Sequence, residues 1–329
     1  MIRFRRPHRA RAALAALLAL LLAACAESPA PAPPPAGEHG ARKHGDRPAA
    51  YGGAAHGEPK GRAHGNGGTP ASKGVAGGGG GTPASKGVAG GGGKAPRGAR
   101  VRAGLAPVWH HGVRRAAGGK RVALTFDADM MADQHDRADA GERFDNPGLI
   151  AALRELRVPA TVFMTGTWAA RYPGQARTVG RDPLFEVANH SYSHHAFAVP
   201  CHGLPEVAPG TMRAEVERTF AALRRAGVPE PVPYFRFPGG CYDDAALRAL
   251  APTGVTAVQW DVSSGDAFAT DPHAVAEEVL TRVRPGSVVV LHVTRSAAPV
   301  TERAVREIVP ELRRRGYGFA RVSELMAAG

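Results

Sequence analysis

From Val122 onward the chain alternates short apolar runs with amphipathic stretches, and this alternation limits the possible folds more than any other feature. The runs at 122–126, 160–164, 185–188, 234–237, 255–260 and 287–291 read as strands with both faces covered. Between them, 147–156 has helical periodicity, with Leu149, Ile150, Leu153 and Leu156 on one side. Further helices are expected around 168–179, 211–226, 243–250, 272–283 and 300–314, two of them stopped by Gly227 and Gly316. A strand that returns through a helix pairs parallel with its predecessor. The expected architecture is therefore α/β: a distorted (β/α) barrel of about seven parallel strands rather than an open doubly wound sheet.

The first third of the chain has no such pattern. Arg3, Arg5, Arg6, Arg9 and Arg11 precede an Ala/Leu run at 12–24 that is too short to span a bilayer comfortably, so 1–24 reads as a signal peptide. Leu22-Ala23-Ala24-Cys25 resembles the bacterial lipobox, which makes Cys25 the expected lipidation site. The alternative is an ordinary secretory signal with Cys25 incidental. Residues 25–105 are Gly, Pro and Ala-rich, and GTPASKGVAGGGG at 68–80 is repeated letter for letter at 81–93. Such a segment cannot bury a core and is expected to be a disordered linker of root-mean-square reach about 50 Å. His39, His44, His56 and His64, each followed by Gly, fit a solvated spacer. The folded domain is expected over 106–329.

Residues 1–105 carry a net charge of +12 and the remainder only +1, so the total of +13 describes the leader and tail. No basic face with aromatic platforms is left on the folded part, which argues against a nucleic-acid partner, and no protein partner is implied. The basic tail suits anionic headgroups or wall polymers. The expected location is extracytoplasmic, with the chain lipid-anchored to a bacterial membrane.

Four strands run into polar residues that their apolar runs do not need. Residues 122–126 lead into Asp127-Ala128-Asp129, and 185–188 lead into a segment with His190 and His194 four positions apart. Residues 234–235 lead into Arg236-Phe237-Pro238-Gly239-Gly240, and 287–291 into His292. In a parallel barrel all four ends share one rim. An imidazole pair at this spacing can close on one Zn²⁺. On a straight strand Asp127 and Asp129 project to one side. Cys201 and Cys241 each follow one of these segments, which makes a disulfide between two rim loops reasonable outside the cytoplasm.

Taken in order, these segments resemble the polysaccharide deacetylase domain (NodB homology, carbohydrate esterase family 4) from about 120 to 322. Thr125–Asp129 resembles that family's TFDD motif, and His190-Ser191-Tyr192-Ser193-His194 its metal-binding motif. Arg236–Gly240 resembles R-x-P-Y-G, residues 260–266 the D/S-x-x-D motif, and Leu291-His292 the final L-x-H. The resemblance implies a metal-dependent hydrolase that removes N-acetyl groups from an amino-sugar polymer, peptidoglycan first and chitin-like or other glycans next. It implies His190, His194 and a carboxylate as ligands of a divalent metal, Zn²⁺ by expectation. Asp127 is then the base, Arg236 its partner, His292 the acid and Asp266 the residue that orients it. The oxyanion is expected near the Gly239 or Gly240 N–H, with Leu291, Gly239 and Trp260 around the substrate pocket, although Trp260 also suits the core. Where the family has its second Asp, this chain has Ala128. Asp129 is the expected substitute, with Asp133, His135 and Asp136 in reserve. His195 is expected at the rim, and Trp168 in the core. Two other functions stay open: an O-acetyl esterase on a glycan, and a wall-binding pseudoenzyme that lost its metal with Ala128.

Overall fold

A computed structural model describes residues 95–114, 119–208 and 210–328. The expected signal peptide, Cys25 and the linker as far as residue 94 lie outside the described residues. Among the described residues there are nine strands: β1 (Val108–Trp109), β2 (Lys120–Ala128), β3 (Ala160–Met164), β4 (Phe185–Asn189), β5 (Tyr234–Phe235), β6 (Thr256–Val258), β7 (Val262–Ser263), β8 (Val288–His292) and β9 (Tyr317–Phe319). The helices are α1 (His135–Asp139), α2 (Pro147–Glu155), α3 (Gly166–Arg171), α4 (Pro173–Gly180), α5 (Met212–Arg225), α6 (Asp244–Leu250), α7 (Pro272–Arg282), α8 (Thr301–Arg314) and α9 (Val322–Ala327).

All strand pairs are parallel, in the order β1-β6-β5-β4-β3-β2-β8-β7, with β9 added to β2. Chain connectivity forces this sheet to curl. In a flat sheet β6 and β7 would be about 29 Å apart, six spacings of about 4.8 Å. Only Gln259, Trp260 and Asp261 separate them in sequence, which limits the span from Val258 to Val262 to about 15 Å. The two ends of the sheet are therefore brought together by the chain itself, and β2 to β8 form the distorted seven-strand barrel.

Strand alternation sorts the side chains into two layers. Val122, Leu124, Phe126 and Ala128 of β2 join Val162, Met164, Val187, Val289 and Leu291 in a cluster with α2, α7 and α8. Residues of opposite parity, such as Thr125, Asp127, Phe163 and Ala188, face the barrel interior. The helix layer is densely filled: Leu149, Leu153, Val305, Ile308 and Leu312 are fully buried. Truncating Leu153 to Ala would cost about 2–5 kcal/mol. Asn146, Thr165 and Asp243 cap α2, α3 and α6 through side-chain oxygens that accept from Leu149, Trp168 and Ala246 N–H. Trp168 is buried, as expected, and donates its indole N–H to Phe144 O at 2.7 Å.

The expected helix over 168–179 is two helices. Pro173 has no N–H and forces Tyr172 out of helical geometry (φ −118°, ψ 54°), so the chain turns there. The run 234–237 yields only the short β5, because Arg236 turns toward the interior and a 3₁₀ turn, Pro238–Gly240, follows. Residues 95–105, assigned to the linker by composition, belong to the domain. Arg100 bridges Val108 antiparallel, Ala106 N–H bonds to Leu247 O, and Arg102 pairs with Asp244 at 2.6 Å. Among the described residues no helix is long and apolar enough to cross a membrane.

Candidate active site at the barrel rim

The C-terminal ends of β2, β4, β5 and β8 meet at one rim, and the interior parity decides which side chains appear there. Asp127 ends the interior row of β2 and His292 that of β8, the two in register as Cα partners. Ala128, between the two Asp, is fully buried in the helix-facing cluster, so a carboxylate there would point away from the cleft. Asp129 restores the inward direction.

Arg236, fully buried, donates from Nη1 to Asp127 Oδ1 at 2.7 Å and from Nε to Val258 O at 3.2 Å. Its guanidinium lies 4.0 Å from the Phe163 ring centroid and 5.4 Å from that of Trp260. Nη2 is buried with no hydrogen-bond partner, a donor left over at the interior of the site. Burial alone pushes the Asp127 carboxyl up, but Arg236 and the neighbouring His190 and His292 outweigh it and hold Asp127 below the ordinary range. Asp127 is thus ionised at neutral pH.

His190 and His194 lie on a tightly turned loop after β4. Ser191 (φ 66°) and His194 (φ 61°) adopt left-handed backbone that non-glycine residues rarely take. Side chains from elsewhere enforce it. Glu215 on α5 accepts from Tyr192 N–H, Ser193 N–H and Ser193 Oγ–H at 2.8–3.0 Å, and Asn189 Oδ1 accepts from Ser191 N–H. Strain of this kind persists only where the surroundings over-determine it. The two rings lie 5.0 Å apart, edge to face.

His190 Nδ1 is 2.9 Å from Arg236 O. A carbonyl only accepts, so Nδ1 carries the hydrogen and Nε2 keeps a lone pair directed into the site, 3.6 Å from Asp127 Oδ2. His194 Nε2 lies 3.8 Å from Asp129 Oδ2. Burial lowers the pKa of both imidazoles, that of His194 to about 4, so both are neutral at pH 7. Burial pushes Asp129 up, but His194, His292 and a Thr294 hydroxyl that donates to Asp129 Oδ1 bring it below the ordinary range. His194 Nε2 and Asp129 Oδ2 thus face each other at a separation too long for a hydrogen bond. Two neutral imidazoles and an ionised carboxylate are the donor types a divalent metal takes, and by that chemistry Asp129, His190 and His194 fit one.

His292 is held in the opposite state. Its Nδ1–H donates to Asp266 Oδ1 at 2.7 Å and its backbone N–H to Asp266 Oδ2 at 2.8 Å. Thr301 and Ser264 hydroxyls donate to the same carboxylate at 2.7 and 3.0 Å. Burial would push His292 down, but Asp266 overrides it and raises the imidazole to about 10.

Cys201 and Cys241 are disulfide-bonded, with Cα atoms 5.9 Å apart, and tie the His loop to the segment after Arg236. His202 lies close to both sulfurs, but sulfurs bonded to each other offer no thiolate to a metal. Gly239 and Gly240 have φ 63° and 75°, and a Cβ on either would meet Cys201 Sγ or the Trp260 ring at 2.6 Å. Gly240 N–H is spent on Phe237 O, which leaves Gly239 as the candidate oxyanion donor of the two.

The pocket assignment of Leu291 needs correction. Leu291 is fully buried in the helix-facing cluster, one residue out of phase with His292. Val290 has the interior parity and stands two residues before His292. Trp260 is half-buried at the interior wall against Arg236 and Gly240, and so is not simply core. The reserve ligands Asp133 and Asp136 are exposed. His195 is half-buried, its N–H bonded to Ser193 Oγ. Glu215, Asn189, Ser264, Thr294 and Thr301 escaped the sequence reading. Of these, only Asn189, directly before His190, and Ser264, two residues before Asp266, gave a local hint.

Residues 114–258 match the family model described as polysaccharide deacetylase. A chitooligosaccharide deacetylase of Bradyrhizobium sp. (strain ANU 289) is 30% identical over 213 residues, covering 61% of this chain and 88% of its own. A peptidoglycan-N-acetylglucosamine deacetylase of Bacillus cereus is 26% identical over 212 residues, covering 63% and 88%. Among solved structures, a CE4 family pseudoenzyme from Bacillus anthracis is similar in fold, with TM-score 0.54 and 22% identity over 67% of this chain and 68% of that one.

Proposed function

Because the chain belongs to the polysaccharide deacetylase family, we propose that it hydrolyses N-acetyl groups on an amino-sugar polymer, with cell-wall peptidoglycan as first substrate and chitin-like oligomers next. The observation that carries this reading is the pairing of an ionised Asp127, clamped by Arg236, with a protonated His292, clamped by Asp266, at one rim.

Asp129, His190 and His194 would hold a divalent cation, Zn²⁺ by preference for two imidazoles and one carboxylate, and the cation supplies Lewis acidity to the acetamide carbonyl. Asp127, kept ionised by Arg236, takes the proton of the attacking water. His292 gives its proton to the departing amine nitrogen, and Asp266 keeps the ring charged and aimed until then. The Gly239 N–H, not committed to the Phe237 carbonyl as Gly240 N–H is, would donate to the oxyanion. Ala128 favours the pseudoenzyme alternative only if its position must supply the carboxylate. Asp129, on the interior side of the chain, supports a complete donor set instead.

The basic n-region, short apolar run and lipobox-like sequence support an extracytoplasmic enzyme lipid-anchored at Cys25, its linker letting the domain reach surrounding wall polymer. The deciding experiment incubates the protein with peptidoglycan and with chitin oligomers, with and without chelator. The expected result is released acetate with one new amine per acetate, abolished by chelator. Acetate without amine would instead identify an ester substrate.

A further inference from the structure

The near-neutral charge of the folded part conceals a division along the barrel axis. Each of α2, α4, α5, α7 and α8 runs back against the strands, so its C-terminal end lies at the face opposite the mouth. From the last turn of each of these helices to the next strand there are eleven Arg and four acidic residues. These five segments hold +7, whereas residues 106–329 as a whole hold +1, which leaves −6 for the rest of the domain. Acids gather toward the mouth, where Asp244, Asp271 and Glu302 lie at the starts of α6, α7 and α8 and Asp127, Asp129 and Asp266 stand in the site.

The five helix ends form one continuous arc. The Arg177 side chain packs against Gly227, joining α4 to the end of α5. Arg154 pairs with Asp182 at 2.6 Å, joining α2 to the segment after α4. Arg313 donates to Leu156 O beside α2 and Arg315 to Leu280 O on α7, both at 2.5 Å, so α8 bridges these two. Arg157, Arg177, Arg181, Arg224, Arg225 and Arg284 are exposed, and among the described residues their side chains make no ion pair. Nearer the mouth, Arg137, Arg171 and Arg213 each pair with a carboxylate at 2.5–2.6 Å. Helix macrodipoles favour a cation at each C-terminal end, but five ends of about half a negative charge ask for two or three cations, and the arc holds +7.

We propose that this arc is a docking face for anionic lipid headgroups, which seats the domain on the membrane with its mouth turned away. Guanidinium groups fork onto phosphate oxygens, and unpaired ones do so without first giving up a carboxylate. The −6 remainder is repelled by the same surface, so the charge division orients the domain as well as attracting it. A wall polymer held on this face would instead lie at the far end of the barrel from Asp127 and His292. The proposal rests on the extracytoplasmic, lipid-anchored placement proposed above and deepens it: the anchor limits distance, and this face sets orientation.

The test is cosedimentation of the full chain with vesicles of phosphatidylcholine alone or mixed equally with phosphatidylglycerol. Wild type should bind the mixed vesicles and be released by salt. Each cation near an anionic leaflet strengthens binding about fivefold, so Arg157→Gln/Arg181→Gln/Arg225→Gln should weaken it about 100-fold. Arg157→Lys/Arg181→Lys/Arg225→Lys should bind as wild type does. Arg137→Gln/Arg213→Gln/Arg303→Gln removes the same charge near the mouth and should leave binding within about twofold. Every variant keeps the basic N-terminal segment, so its contribution is common to all. Equal loss in the two Gln variants overturns the proposal, as does no loss in the first, or wild type that ignores phosphatidylglycerol. Tighter binding to poly(glycerol phosphate) than to vesicles, at equal phosphate, assigns the face to wall polymer and also overturns it. Mass spectrometry of the N-terminus tests the Cys25 anchor separately, and released acetate the deacetylase reading.

Discussion

His194 and His292 face carboxylates across the same cleft and end in opposite protonation states. His194 stands 3.8 Å from Asp129 with no hydrogen bond between them, and burial takes it down to about 4. His292 is bonded twice to Asp266, whose carboxylate also accepts from Thr301 and Ser264, and it is raised to about 10. The residue types are the same, but the hydrogen bonding differs. One imidazole keeps a lone pair to offer a cation, the other a proton to offer a leaving group. Environments that push like groups apart in this way assign acid and ligand roles without reference to sequence motifs.

The sharpest way to break the comparison is His194→Ala. Activity should fall by about 10³-fold or more, and bound metal, measured by elemental analysis, should disappear with it. His292→Asn should lower kcat by about 10²–10⁴-fold yet leave metal content intact. Equal metal loss in both variants would erase the division of roles. Thr294→Val removes the hydroxyl on Asp129 and should weaken metal affinity about 10–100-fold, with kcat largely recovered at saturating metal.

The smallest expected effect is a displacement of the pH profile. His292 is charged in the fold up to about 10, above its unfolded value near 6.5. Its contribution to stability is therefore complete below the unfolded value and lost as pH rises through about 10. The rate should decline over the same alkaline interval. Asp266→Asn removes the main influence that raises His292, so the alkaline limb should move to lower pH. A limb that stays in place would assign it to another group.

The strands were legible because each is a compact apolar run, and Ala160–Met164 is placed to the residue. β1, β7 and β9 were not, since two or three residues carry no period. Residues 95–105 resemble the linker in composition, and what distinguishes them is partners found far along the chain, such as Asp244 for Arg102. At the site, alternation correctly put Asp127 and Asp129 on one side. The same rule applied to β8 would have excluded Leu291, whose neighbour His292 already held the inward position. Glu215, Thr294 and Thr301 come from segments 22 to 165 positions away from the residues they hold, distances at which sequence pattern carries no signal.

The join between β6 and β7 has a mechanical consequence. The chain closes its own ring through Gln259, Trp260 and Asp261, and the stretch before β2 is fastened beside it: β1, which also bridges to Arg100, pairs with β6, and Gly112 N–H bonds to Gly286 O just before β8. Any pull transmitted along the N-terminal segment is therefore delivered first to the wall behind Arg236 and Trp260, ahead of the helical jacket. A pull entering at residue 95 would load the wall of the candidate site before it loaded the core.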